Sequence, residues 1–142
     1  MACGLECSGW QLVTLTVDSG ASETVCHSEH FPNTPVNQDS PKHGLRYKDA
    51  SGNPIVNQGD KKIAFITDEG EQRDMLFQVC DVTKPLASVS RICKKGHRVV
   101  FEDGCSYIEN LYSGDVTWLR EENGVYVMDI WLPPCGRQGK GI

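Results

Sequence analysis

Asp18 is the side chain in this sequence whose setting points most directly to chemistry. It stands in Val17-Asp18-Ser19-Gly20-Ala21, immediately after the β-branched and aliphatic run Leu12 to Val17. That order delivers one carboxylate at the end of a buried strand, on a tight turn released by Gly20. A buried carboxylate is costly unless it is hydrogen-bonded or paired, and one held in that way can move a proton. Taken alone, Asp-Ser-Gly is also an ordinary turn tripeptide. The other reactive group is Cys26, His27, His30 and His43, with Cys3 and Cys7 upstream. Thiols and imidazoles ligate metals, but neither spacing matches a zinc finger or knuckle. Surface histidines and buried thiols account for these residues, and no metal or other cofactor is expected.

A chain of 142 residues, 39% of them hydrophobic and 23% charged, can build one domain with a real core. The formal net charge of −5 gives no electrostatic case for a nucleic-acid or anionic-membrane surface. No apolar run approaches the length of a membrane span. The first seven residues have neither a basic nor an apolar region, so no secretory signal is expected. Seven scattered cysteines do not resemble a disulfide framework. A reducing, cytoplasmic setting with mostly free, buried thiols is the simplest account.

The elements that must position Asp18 read mostly as short strands. Residues 1–11 form a flexible N-terminus, 12–132 the domain, and 133–142 a disordered tail. Residues 26–44, with three prolines, form a long irregular connection. Leu45 to Lys48 and Ile55-Val56 flank a polar tip, Asp49-Ala50-Ser51-Gly52-Asn53, and read as a hairpin. Lys61 to Thr67 and Met75 to Val82 make a second. One helix is expected over Leu86 to Lys95, because Leu86, Val89, Ile92 and Cys93 share a face and Gly96 stops it. Strands follow at 98–102, 106–109, 116–119 and 125–132, separated by Asp103-Gly104, Ser113-Gly114 and Asn123-Gly124. Trp118, Tyr126 and Trp131 fit cross-strand packing. The pattern is that of a small all-β barrel.

With these residues in order, the chain resembles the retropepsin-like aspartic proteases, and within them the protease segment of Copia-type retrotransposon polyproteins. The likeness runs through Val17-Asp18-Ser19-Gly20-Ala21-Ser22, Lys48-Asp49-Ala50-Ser51-Gly52 and Phe77-Gln78-Val79-Cys80-Asp81-Val82. It continues in Pro85-Leu86-Ala87-Ser88-Val89-Ser90 and Lys95-Gly96-His97-Arg98-Val99-Val100-Phe101. It closes with Gly124-Val125-Tyr126-Val127-Met128-Asp129.

The resemblance implies a retropepsin-like closed barrel with extra C-terminal strands. It implies Asp18 as the catalytic aspartate, one from each chain of a homodimer, cutting a peptide or polyprotein substrate. Ser19, Gly20 and Ala21 would form the active-site loop, and Asp49, Ala50, Ser51, Gly52 and Asn53 a flap over the substrate. Leu86, Ala87 and Ser88 would pack beneath the site. The chain departs from the family pattern at Ser19, where threonine is common, and at Ser88, where glycine is common. The flap tip also holds a single glycine. The remaining acids, Asp39, Asp49, Asp60, Asp68, Asp81, Asp103, Asp115 and Asp129, read as turn or exposed positions, so the second carboxylate would come from a second chain. Two alternatives stand beside this reading. One is a silent or domesticated relative whose dimeric groove holds peptides, the other a monomeric barrel in which Asp18 caps a turn.

Overall fold

The computed structural model describes residues 9–49 and 51–134, and the chain is predominantly β. Its strands are β1 (Gln11–Asp18), β2 (Val25–Cys26), β3 (Arg46–Lys48), β4 (Pro54–Val56), β5 (Gly59–Thr67) and β6 (Gln72–Val79). After these come β7 (Leu86–Ser88), the helix α1 (Val89–Lys94), β8 (His97–Val100), β9 (Ser106–Asn110), β10 (Val116–Glu122) and β11 (Val125–Leu132). Among the described residues no helix is long and apolar enough to cross a membrane.

The strands pair in the order β1-β7-β2-β6-β5-β11-β10-β9-β8, and β1 also pairs with β11. Six strands therefore return on themselves, from β1 through β7, β2, β6, β5 and β11 back to β1. The late strands have two jobs. β11 joins β1 to β5, while β8, β9 and most of β10 form an appended antiparallel ladder. β3 and β4 stand apart as a two-stranded sheet.

This topology explains why β1 is exposed at its start and buried at its end. Residues 11–15 pair only with β11, whereas Thr16 and Val17 have β11 on one edge and β7 on the other. Leu15 and Val17 thus face a core with Phe65, Phe77, Val79, Ala87 and Ile130. Burying side chains of this size stabilises by about 1.5–3 kcal/mol each.

Several boundaries differ from those the sequence predicts. Leu86, Ala87 and Ser88 are strand, not helix, because they pair with Thr16, Val17 and Asp18 and Leu86 also pairs with Val25. Tertiary pairing overrides a helical spacing of apolar residues here. Val89 to Lys94 remain helical, with Gly96 in the left-handed region just beyond, while Cys93 is exposed rather than on the buried face. The connection after Asp18 contains the short β2, and Gln11 is already strand, paired with Leu132. Pro133 and Pro134 are half-buried, with Pro134 beside Gly9. The expectations for residues 1–8, 135–142 and Ala50 fall outside the described residues.

The long segment before β3 is held from below by Lys61. Its side chain is buried, and Nζ donates to the carbonyls of Ser28 at 2.9 Å, His30 at 2.8 Å and Phe31 at 3.1 Å. Burial lowers the Lys61 pKa, opposed by the nearby Cys26 thiol. Burial also pushes the thiols of Cys26 and Cys80 up, to about 12 and about 11, so both are poor nucleophiles. Cys93 and Cys105 are free but exposed.

Candidate active site

Asp18 ends β1 half-buried, with its backbone opposite Ser88 in the parallel β1–β7 pair. Its Oδ1 accepts the Gly20 amide at 2.8 Å, an Asx turn that aims the carboxylate along its own loop. A Cβ on residue 20 would lie 3.3 Å from that same oxygen, so glycine leaves the carboxylate its position. Ser19 and Gly20 are exposed and Ala21 is half-buried.

Ser88 fastens this loop from beneath. Its fully buried hydroxyl donates to the Ala21 carbonyl at 2.7 Å and accepts the Arg91 amide at 3.2 Å as the N-cap of α1. Its own amide donates to Thr24 Oγ1 at 3.0 Å. A glycine in this place would lack both side-chain bonds, so the departure at Ser88 is a tie between the Asp18 loop and the helix. Leu86 and Ala87 continue the support, Ala87 in register with Val17 and fully buried.

The hairpin tip is organised by its own aspartate. Asp49 Oδ1 accepts the amides of Ser51 at 2.9 Å and Asn53 at 2.8 Å, and Gly52 donates to the Asp49 carbonyl. Gly52 has φ +84°, which the turn requires. Asp49 thus supplies the side-chain bonds that order the tip. Leu45 and Val56 leave large apolar area exposed at the hairpin base.

Two residues missed from the sequence connect these regions. Asn57, fully buried, donates from Nδ2 to Tyr47 Oη at 2.9 Å and Gln78 Oε1 at 2.8 Å, and its Oδ1 accepts the Gly59 amide at 2.7 Å. Its backbone bonds Leu45 and Gly44. The Gln78 amide then donates to the Thr24 carbonyl at 2.7 Å, and Thr24 holds Ser88. Passing through the side chain and backbone of Gln78, Thr24 and Ser88 in turn, these bonds link the root of the hairpin to the Asp18 loop. Glu23 is the second: its Oε2 takes Lys42 Nζ at 2.7 Å and Arg91 Nη2 at 2.9 Å. Burial would raise the Glu23 pKa, but the bonds from Lys42 and Arg91 prevail and hold it below the ordinary carboxylate value. The only sequence signal was an Asn and a Glu in polar stretches, which is no signal.

Among the described residues no hydrogen bond joins residues 49–53 to residues 18–21. A cleft of about 740 Å³ lies along β6, α1 and β9–β10, and neither Asp18 nor the hairpin tip lines it. Asp60, expected to be exposed, is buried and accepts Asn37 Nδ2 at 3.2 Å. His27 and His30 serve their own loop: each Nδ1 accepts a backbone amide, and His27 Nε2 lies 3.5 Å from Asp81. Compared with protein-family models, curated proteins and solved structures, the chain matches none.

Proposed function

We propose that the chain is a retropepsin-like aspartic endopeptidase of retrotransposon type, acting in the cytoplasm as a homodimer. The observation that carries the reading is Asp18 itself, a carboxylate at the end of a strand flanked on both edges and pinned from beneath by Ser88. The return of six strands on themselves fits a closed barrel, and the separate β3–β4 hairpin fits a flap.

In the dimer, Asp18 of each copy faces the other. In this reading the two carboxyls work as a pair, one ionised and one protonated. The ionised member takes a proton from water, which attacks the scissile carbonyl, and the protonated member donates to the carbonyl oxygen. Ser19 stands exposed beside Asp18, where it can bond across the dimer. The substrate lies extended between the hairpin and the Asp18 loop, held through its backbone.

Purified protein incubated with a peptide library from about pH 3 to about pH 7 tests this. Cleavage should depend on protein concentration and vanish in Asp18→Asn. Equal cleavage by that variant would refute the mechanism.

A further inference from the structure

The cleft along β6, which Asp18 does not line, contains an unpaired strand edge. β6 pairs with β5 along its whole length, but with β2 only at Gln78 and Val79. The Gln78 amide points away from β5, to Thr24. By the period of two, Leu76, Asp74 and Gln72 turn their amides to that same outer side. Beyond Gln78 that edge has no strand beside it among the described residues, and Gln72 to Leu76 line the cleft. Five residues of edge extend about 16 Å.

The opposite wall is α1 with β9 and β10, and the floor is apolar: Phe65, Ile92, Ile108 and Met128. The charge is unlike that of the whole chain. Six basic side chains and three acidic ones line the cleft, in a protein of net charge −5. Glu23 answers Lys42 and Arg91, and Asp115 answers Arg73. Lys62, Lys94 and Lys95 have no carboxylate within ion-pair distance among the described residues, and Asp74 is the one lining acid without a cation. Arg91 Nε is buried with no acceptor among the described residues.

We propose that this cleft binds an extended acidic peptide, which adds as a strand to the β6 edge. The outer amides of β6 recognise its backbone, the apolar floor takes every second side chain, and the lysines select acidic residues on the others. The site is separate from Asp18 and holds whether or not the chain is a protease.

The probe is a labelled peptide of alternating valine and glutamate, about eight residues long. Its binding should be read by anisotropy, and by amide chemical shifts of the intact protein. Shifts are expected at residues 72–76, with binding weakened about tenfold in the double variant Lys94→Glu, Lys95→Glu. Both lysines are exposed, so that variant keeps its fold. Leu76→Pro removes an outward amide without touching the β5 ladder and should weaken binding similarly. Asp18→Asn should bind as the parent does. No binding, equal binding of a valine–lysine peptide, or indifference to both cleft variants would overturn the proposal. Shifts at residues 18–21 with loss in Asp18→Asn would also overturn it, while leaving the protease reading intact.

Discussion

The Asp18 loop and the tip of the β3–β4 hairpin are both turns built round an aspartate that accepts backbone amides within its own loop. Locally they are the same device. The difference lies in what surrounds each. Asp18 sits at the end of a strand with neighbours on both edges, and Ser88, Thr24 and Ala21 lock its loop to the helix. Asp49 sits on an exposed two-stranded sheet joined to the body at its root by Asn57 and Tyr47. An isolated two-stranded hairpin is only marginally stable. An Asx turn therefore does not distinguish a candidate catalyst from a scaffold; the packing beneath it does.

The contrast can be broken at its joints. Asn57→Ala should have the largest effect, because it strips partners from Gln78, Gly59 and Tyr47 in a fully buried place. A loss of about 2–4 kcal/mol in denaturant unfolding is expected, with faster amide exchange in β3 and β4. Ser88→Ala removes a cap and a loop tie together and should lower stability by about 2 kcal/mol. If the Asp18 loop is locked as described, amide exchange at residues 19–22 rises in that variant while the hairpin is unchanged. Asp49→Ala, by contrast, should cost less than about 1 kcal/mol, since the tip is exposed. Its effect would appear as greater mobility of residues 51–53 and, under the proposed peptidase activity, as weaker substrate binding rather than unfolding.

Acid should loosen the frame around the Asp18 loop. Burial, then the neighbouring His27 and Lys61, lowers the His30 pKa from 6.5. Arg120 does the same for Asp129, and Lys42 and Arg91 for Glu23 against the opposing effect of burial. A depressed group stabilises the fold above its unfolded value, and that contribution disappears as pH falls. Thermal midpoints should therefore decline first below the histidine value of 6.5, then more steeply below the ordinary carboxylate values of 4.5 and 3.8. Glu23→Gln should flatten the lower part of that curve. Any acid optimum of the proposed peptidase activity would thus be bounded on its acid side by unfolding.

Much of the frame was legible from local pattern. Alternation of apolar residues and the Gly-containing turns located both hairpins and the late strands, because side-chain period and turn chemistry are local properties. Leu86 to Ser88 were misread for the converse reason: their spacing suits a helix, and only β1 and β2 on either side make them a strand. Asn57 was invisible because its value lies in partners from 47, 59 and 78.

By itself the sequence determined a mostly β chain and one aspartate at a strand end before a Ser-Gly turn. Tertiary structure decided that β11 would join β1 to β5, that Ser88 would bind the Asp18 loop to α1, and that the hairpin would hang from Asn57. Those contacts join residues far apart in the chain, and their energies depend on burial that no local pattern encodes.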